Sequence, residues 1–76
     1  MMRILRNRAS GKYFVYVEDN EDGKALLILP RGEVKCLKLD LFEHPKEEQV
    51  EHFLVRGLIT EEQNSAYQEL VDTLQL

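Results

Sequence analysis

Three side chains in this sequence could ligate a metal or act as nucleophile and base: Cys36, His44 and His52. Seven residues separate each from the next, which is not the spacing of a zinc site. Their neighbours place Cys36 in a strand, His44 at a junction and His52 in a helix. Cys36 reads as a small half-buried hydrophobe, with Val34 and Lys38 on its own face. His52 reads as a surface residue. The two serines, Ser10 in a turn and Ser65 inside a helix, lack the strand-to-helix elbow of an activated hydroxyl. Asp40 and His44 stand across a strand end and need not meet. Glu47 and Glu51 are helical neighbours that repel mildly on a wet face.

The acidic run Glu18-Asp19-Asn20-Glu21-Asp22-Gly23 resembles half a calcium loop. With Gly23 sixth, the twelfth position should carry a bidentate glutamate. It is Leu29, so the run reads as a hydrated hairpin tip. All four glycines fall at turns or a helix end: Gly11, Gly23, Gly32 and Gly57. None remains for a phosphate-cradling loop, and no nucleotide-binding pattern occurs. These residues predict a non-catalytic protein without cofactor or metal.

The elements that carry these residues fall into two halves. Residues 13–18 are aromatic and β-branched, as strands prefer. Residues 24–29 follow a polar linker ending in Asp22-Gly23, a hairpin signal. Leu29-Pro30-Arg31-Gly32 forms the next turn. A further strand spans residues 33–42, with Leu37, Leu39 and Leu41 on one face. Residues 2–8 form a first strand, closed by Ala9-Ser10-Gly11.

The second half reads as helices over residues 46–56 and 60–75. Pro45 suits a helix start, and Val50, Phe53 and Leu54 share a face. Gly57 is the natural C-terminal cap. Thr60-Glu61-Glu62-Gln63 fits a capping box, with Thr60 and Gln63 satisfying each other's backbone N–H groups. Ala66, Tyr67, Leu70, Val71 and Leu74 make the buried stripe. The segment Arg56-Gly57-Leu58-Ile59-Thr60-Glu61-Glu62-Gln63 resembles the turn of short helical-hairpin modules such as the SHOCT domain, a resemblance that implies no activity. The expected fold is α+β, one domain over residues 1–76: an antiparallel meander of four strands, then a helical hairpin packed on one sheet face.

With 76 residues the chain has little interior for a deep active site. Apolar residues at 43% and charged residues at 32% suit a globular chain rather than a disordered one. A single cysteine excludes an internal disulfide and suits a reducing compartment. No export signal or membrane-spanning run is visible, so a cytoplasmic location is expected.

Charge is uneven. Residues 1–16 carry +4, residues 17–42 carry −2 and residues 43–76 carry −6, for a net charge of −4. Arg3, Arg6, Arg8 and Lys12 form a basic patch beside Tyr13 and Tyr16. Arginines next to aromatics on a small sheet can stack bases, which gives a second functional reading as an RNA or single-strand binding module. The acidic second helix argues against a DNA-reading helix-turn-helix.

The main reading starts from strands 13–17 and 25–29, which are apolar at every position. A sheet covered on one face alternates apolar with polar. Both faces therefore need cover, and the helices supply it for one. The other must close by curling or be covered by a partner. The favoured expectation is a protein-interaction or regulatory module, a homodimer through its sheet, with Tyr13, Val15, Val17, Leu27 and Leu29 on the interacting surface.

Overall fold

A computed structural model describes residues 2–20, 22–46, 54 and 56–74. The fold is α+β. Five antiparallel strands are followed by one helix: β1 (Arg3–Asn7), β2 (Tyr13–Asp19), β3 (Lys24–Ile28), β4 (Val34–Lys38), β5 (Phe42–Glu43) and α1 (Glu61–Leu74). The strand order is β4-β3-β2-β1-β5. The first four strands form the expected meander.

Two features differ from the sequence expectation. There are five strands rather than four, because residues 33–42 do not run through as one. β3 begins at Lys24, which pairs with Lys38. Beyond that pair the neighbouring strand has no residues left to offer a longer β4. The chain breaks into a 3₁₀ turn, Leu39–Leu41, then pairs Phe42 with Asn7 and Glu43 with Arg6 on the far edge. The leucine alternation is interrupted there, and Leu41 is exposed. Second, among the described residues there is one helix, α1, and no helical hairpin. Most of the expected helix 46–56 lies outside the described residues. Leu54 and Gly57 belong to a turn in which the Gly57 N–H donates to the Leu54 carbonyl.

The 3₁₀ turn shows how strongly the sheet curls. The Leu39 N–H donates to the Gly23 carbonyl at 3.0 Å, and the Arg8 N–H donates to the Leu41 carbonyl at 3.0 Å. Three 3₁₀ residues span only about 6 Å. Gly23 and Arg8 lie at opposite ends of the sheet, two strands apart, where a flat sheet would separate them by more than about 20 Å. The tether brings them to within roughly 12 Å.

Curling encloses a second core. Leu5, Ala25, Leu27 and Phe42 are buried together, flanked by Phe14, Tyr16, Leu37 and Leu39. Phe14 meets Phe42 edge to face at 4.9 Å. The other face carries Ile4, Val15, Ile28 and Ile59, packed under Ala66, Tyr67 and Leu70 of α1. The all-apolar strands thus have both faces covered within one chain.

The capping box forms at the start of α1. The Thr60 N–H donates to Gln63 Oε1 at 2.9 Å, and the Gln63 N–H donates to Thr60 Oγ1 at 3.1 Å. Among the described residues no helix is long and apolar enough to cross a membrane.

Candidate interaction surface

The five residues expected to share one sheet face divide between the two. Val15 pairs with Ile28, and Tyr16 pairs with Leu27. The pleat therefore sends Tyr13, Val15 and Val17 toward α1 and Leu27 into the opposite core. Val15 and Leu27 are fully buried, and Tyr13, Val17 and Leu29 are half-buried. A register shift between Tyr16 and Glu18 bulges β2 at Val17, a long-range feature that local composition does not signal.

The basic strand is largely engaged within the fold. Arg6 Nη1 donates to Glu43 Oε1 at 2.6 Å, and Arg8 Nε donates to the Phe42 carbonyl at 3.1 Å. Both contacts secure the short β5 against β1. The Arg3 guanidinium lies 5.1 Å from the centre of the Tyr16 ring, a cation–π distance. Lys12 is exposed in the β1–β2 turn. Burial first, then the hydrogen bond and charge of Asp19, raise the Tyr16 phenol above its usual pKa of 10.0, with Arg3 opposing.

A shallow groove of about 420 Å³ opens beside β5. Arg6, Tyr13, Glu43, His44, Pro45 and Lys46 line it. Among the described residues one carboxylate lines it, Glu43, already bound to Arg6.

One outer edge of the sheet is β4, and the two-residue β5 is the other. β4 pairs with β3 on one side, and no described strand lies on the other. The Leu29 N–H donates to the Glu33 carbonyl, and the Leu39 N–H donates to the Gly23 carbonyl. Antiparallel pairs alternate between bonded and non-bonded. In this register Lys35 and Leu37 spend their backbone groups on β3, opposite Leu27 and Ala25. The N–H and C=O groups of Val34, Cys36 and Lys38 then point away from the sheet. Four of the five β4 side chains are exposed, and Val34 is one of two large apolar residues left exposed among the described residues. Asn20 Nδ2 lies 2.9 Å from Cys36 Sγ, and Glu33 lies 3.9 Å from Lys35. The sequence signal for this edge was the trio Val34, Cys36 and Lys38 on one face, opposite the leucines.

At the β2–β3 hairpin, Asn20 Oδ1 accepts from the N–H groups of Asp22 and Lys24. The calcium-like run therefore uses this side chain to close its own turn. Among the described residues no three His, Cys, Asp or Glu side chains group as metal ligands would.

Compared with known proteins, the sequence matches no family model, no curated protein and no solved structure.

Proposed function

We propose that this chain is a non-catalytic protein-interaction module that works through the β4 edge of its sheet. The carrying observation is β4: a five-residue outer strand with outward backbone groups at alternate positions and an exposed valine. Unpaired edges recruit extended partners by main-chain hydrogen bonding, with side chains selecting among them. Both sheet faces are already covered, one by α1 and the other by curling, so contact through the sheet falls to its edge. An exposed thiol at Cys36 suits the reducing cytoplasm, where it stays free.

The second reading, binding of single-stranded nucleic acid, draws on Arg3 over Tyr16 and on the groove with Arg6, Tyr13, His44 and Lys46. The engagement of Arg6 and Arg8 within the fold weighs against it. Two measurements separate the readings. Light scattering on a gel-filtration column gives the solution mass at low and high salt. Titration of a fluorescent oligouridylate follows nucleic-acid binding. The interaction reading expects oligonucleotide binding to be absent. Tight binding that weakens steeply with salt and is lost on Arg3→Glu with Lys12→Glu would replace it with the second reading.

A further inference from the structure

We infer that the partner of the β4 edge is a second copy of the same strand, paired antiparallel about a twofold axis at Cys36. The inference rests on the edge-binding reading above and adds the identity and register of the partner.

The outward backbone groups belong to Val34, Cys36 and Lys38, a set symmetric about its middle member. An antiparallel copy centred on Cys36 sets Val34 opposite Lys38, Cys36 opposite Cys36 and Lys38 opposite Val34. Each of these pairs exchanges two N–H···O bonds, so every outward group of the strand finds a partner. An axis at Lys35 or at Lys38 sets two lysines face to face, which is unfavourable. An axis at Leu37 leaves Val34 outside the bonded set. The Cys36 register alone uses the whole edge.

Side chains fit the same register. Lysines on an edge ordinarily discourage pairing. Here neither lysine meets its own kind directly: Lys38 lies opposite Val34, and Lys35 opposite Leu37. Lysine stems can cover apolar neighbours while their ammonium groups stay in water. That would cover the exposed Val34 and the half-buried Leu37. The two Lys35 groups are diagonal neighbours, and Glu33 beside each offsets their repulsion. Cys36, small and uncharged, is the side chain at the axis. Such pairing is isologous, the commonest symmetry for a dimer.

The register predicts two Cys36 Cβ atoms about 5 Å apart. A short bis-maleimide should therefore join the two copies in high yield, leaving a cysteine-free Cys36→Ser variant unlinked. Light scattering should give about twice the chain mass of 8.9 kDa in both low and high salt. Cys36→Pro should give a monomer with an unchanged circular dichroism spectrum, because the Cys36 N–H is not bonded to β3 and proline is tolerated at such an edge position. In the unaltered protein, hydrogen exchange at the Val34, Cys36 and Lys38 amides should slow with rising protein concentration. This last measurement stands even if the proline variant fails to fold. A monomer at millimolar concentration overturns the inference. So does a dimer whose three edge amides exchange freely and whose Cys36 thiols do not cross-link, an outcome that also removes the edge-binding reading and moves the interaction to another surface. A monomer that binds oligouridylate in a salt-dependent way sinks both.

Discussion

The side-chain amide of Gln63 donates to the backbone carbonyl of Ile28 at 3.0 Å, joining the first turn of α1 to the end of β3. The same nitrogen donates to the Tyr13 carbonyl at 2.8 Å, where β2 begins. Its oxygen accepts the Thr60 N–H. One residue thus caps the helix and satisfies two strand ends, and it is almost completely buried.

Gln63→Leu should therefore be among the most damaging single changes. It removes the donor to the Tyr13 carbonyl, the second donor to the Ile28 carbonyl, which also pairs with Val15 in the ladder, and the acceptor of the Thr60 N–H, at a cost of about 3 kcal/mol. For a chain this size that is a large share of total stability. Gln63→Glu tests the role of the donor separately. At neutral pH its carboxylate would face two carbonyl oxygens. Burial would raise its folded pKa above the unfolded value. The folded variant then holds a proton that the unfolded chain releases, so its deficit should narrow as pH falls. Urea midpoints at pH 7 and pH 4.5, read against the unaltered protein, check both statements. An equal deficit at the two pH values would sink the donor argument.

Thr60→Ala should cost about 1–2 kcal/mol. Thr60 Oγ1 accepts the Gln63 N–H and donates to the Pro30 carbonyl at 2.5 Å. Thr60→Ser keeps both bonds and should recover most of the loss. Thermal unfolding of the two variants side by side is the check. If serine and alanine behave alike, the hydroxyl is not responsible.

Gly32→Ala should cost more than Gly23→Ala. Both residues have positive φ, 92° and 72°, where a side chain is strained. Only at Gly32 would the new Cβ also crowd the helix, 3.2 Å from the Glu62 backbone oxygen. Nothing lies within 4 Å at Gly23. Strain alone suggests about 1–2 kcal/mol at Gly23, with a further penalty at Gly32. Denaturant midpoints rank the pair, and a reversed order would mean that the turn readily moves off the helix.

Tyr16 should make the protein lose stability in alkali. Its folded pKa lies above 10.0, chiefly through burial and then through Asp19. Below pH 10 both states are protonated, and the contribution is fully present. As pH rises through the folded pKa, the unfolded chain releases its proton first, and stability falls. Tyr16→Phe removes this titration. Urea midpoints from pH 9 upward should fall less steeply in the variant, and parallel curves would discount the effect.

Local chemistry made some features legible and left others unreadable. Thr60 and Gln63 stand three apart, so the capping box could be read directly. The reach of Gln63 to Tyr13 and Ile28 could not, because it joins residues 50 and 35 positions away. The run of apolar residues in β2 and β3 correctly indicated two covered faces. Whether a twin or the same chain supplied the second cover depended on the 3₁₀ turn. Leu37, Leu39 and Leu41 show the same alternation whether or not the strand is broken. Where it breaks depends on the start of β3, a matter of register. For the same reason composition alone groups Leu27 with Val15, although the register, with Val15 opposite Ile28, places them on opposite faces.

Arg6 and Glu43 should show a small but measurable coupling. Their 2.6 Å pair is about two-fifths exposed on each side, so water screens it. A surface pair of this kind contributes roughly 0.5–1 kcal/mol. β5 is held to β1 by only two register positions, so even this amount matters locally. Arg6→Glu sets two carboxylates together and should destabilise. Exchanging the charges, Arg6→Glu with Glu43→Arg, should restore part of the loss. A double-mutant cycle from denaturant midpoints measures the coupling. Strict additivity would mean that the ion pair contributes nothing and that Arg8, through the Phe42 carbonyl, holds the strand alone. The same geometry warns against using Arg6→Glu or Arg8→Glu to probe nucleic-acid binding. Either change loosens β5, so lost binding would report on the fold; Arg3 and Lys12, which hold no described contact to β5, are the better probes.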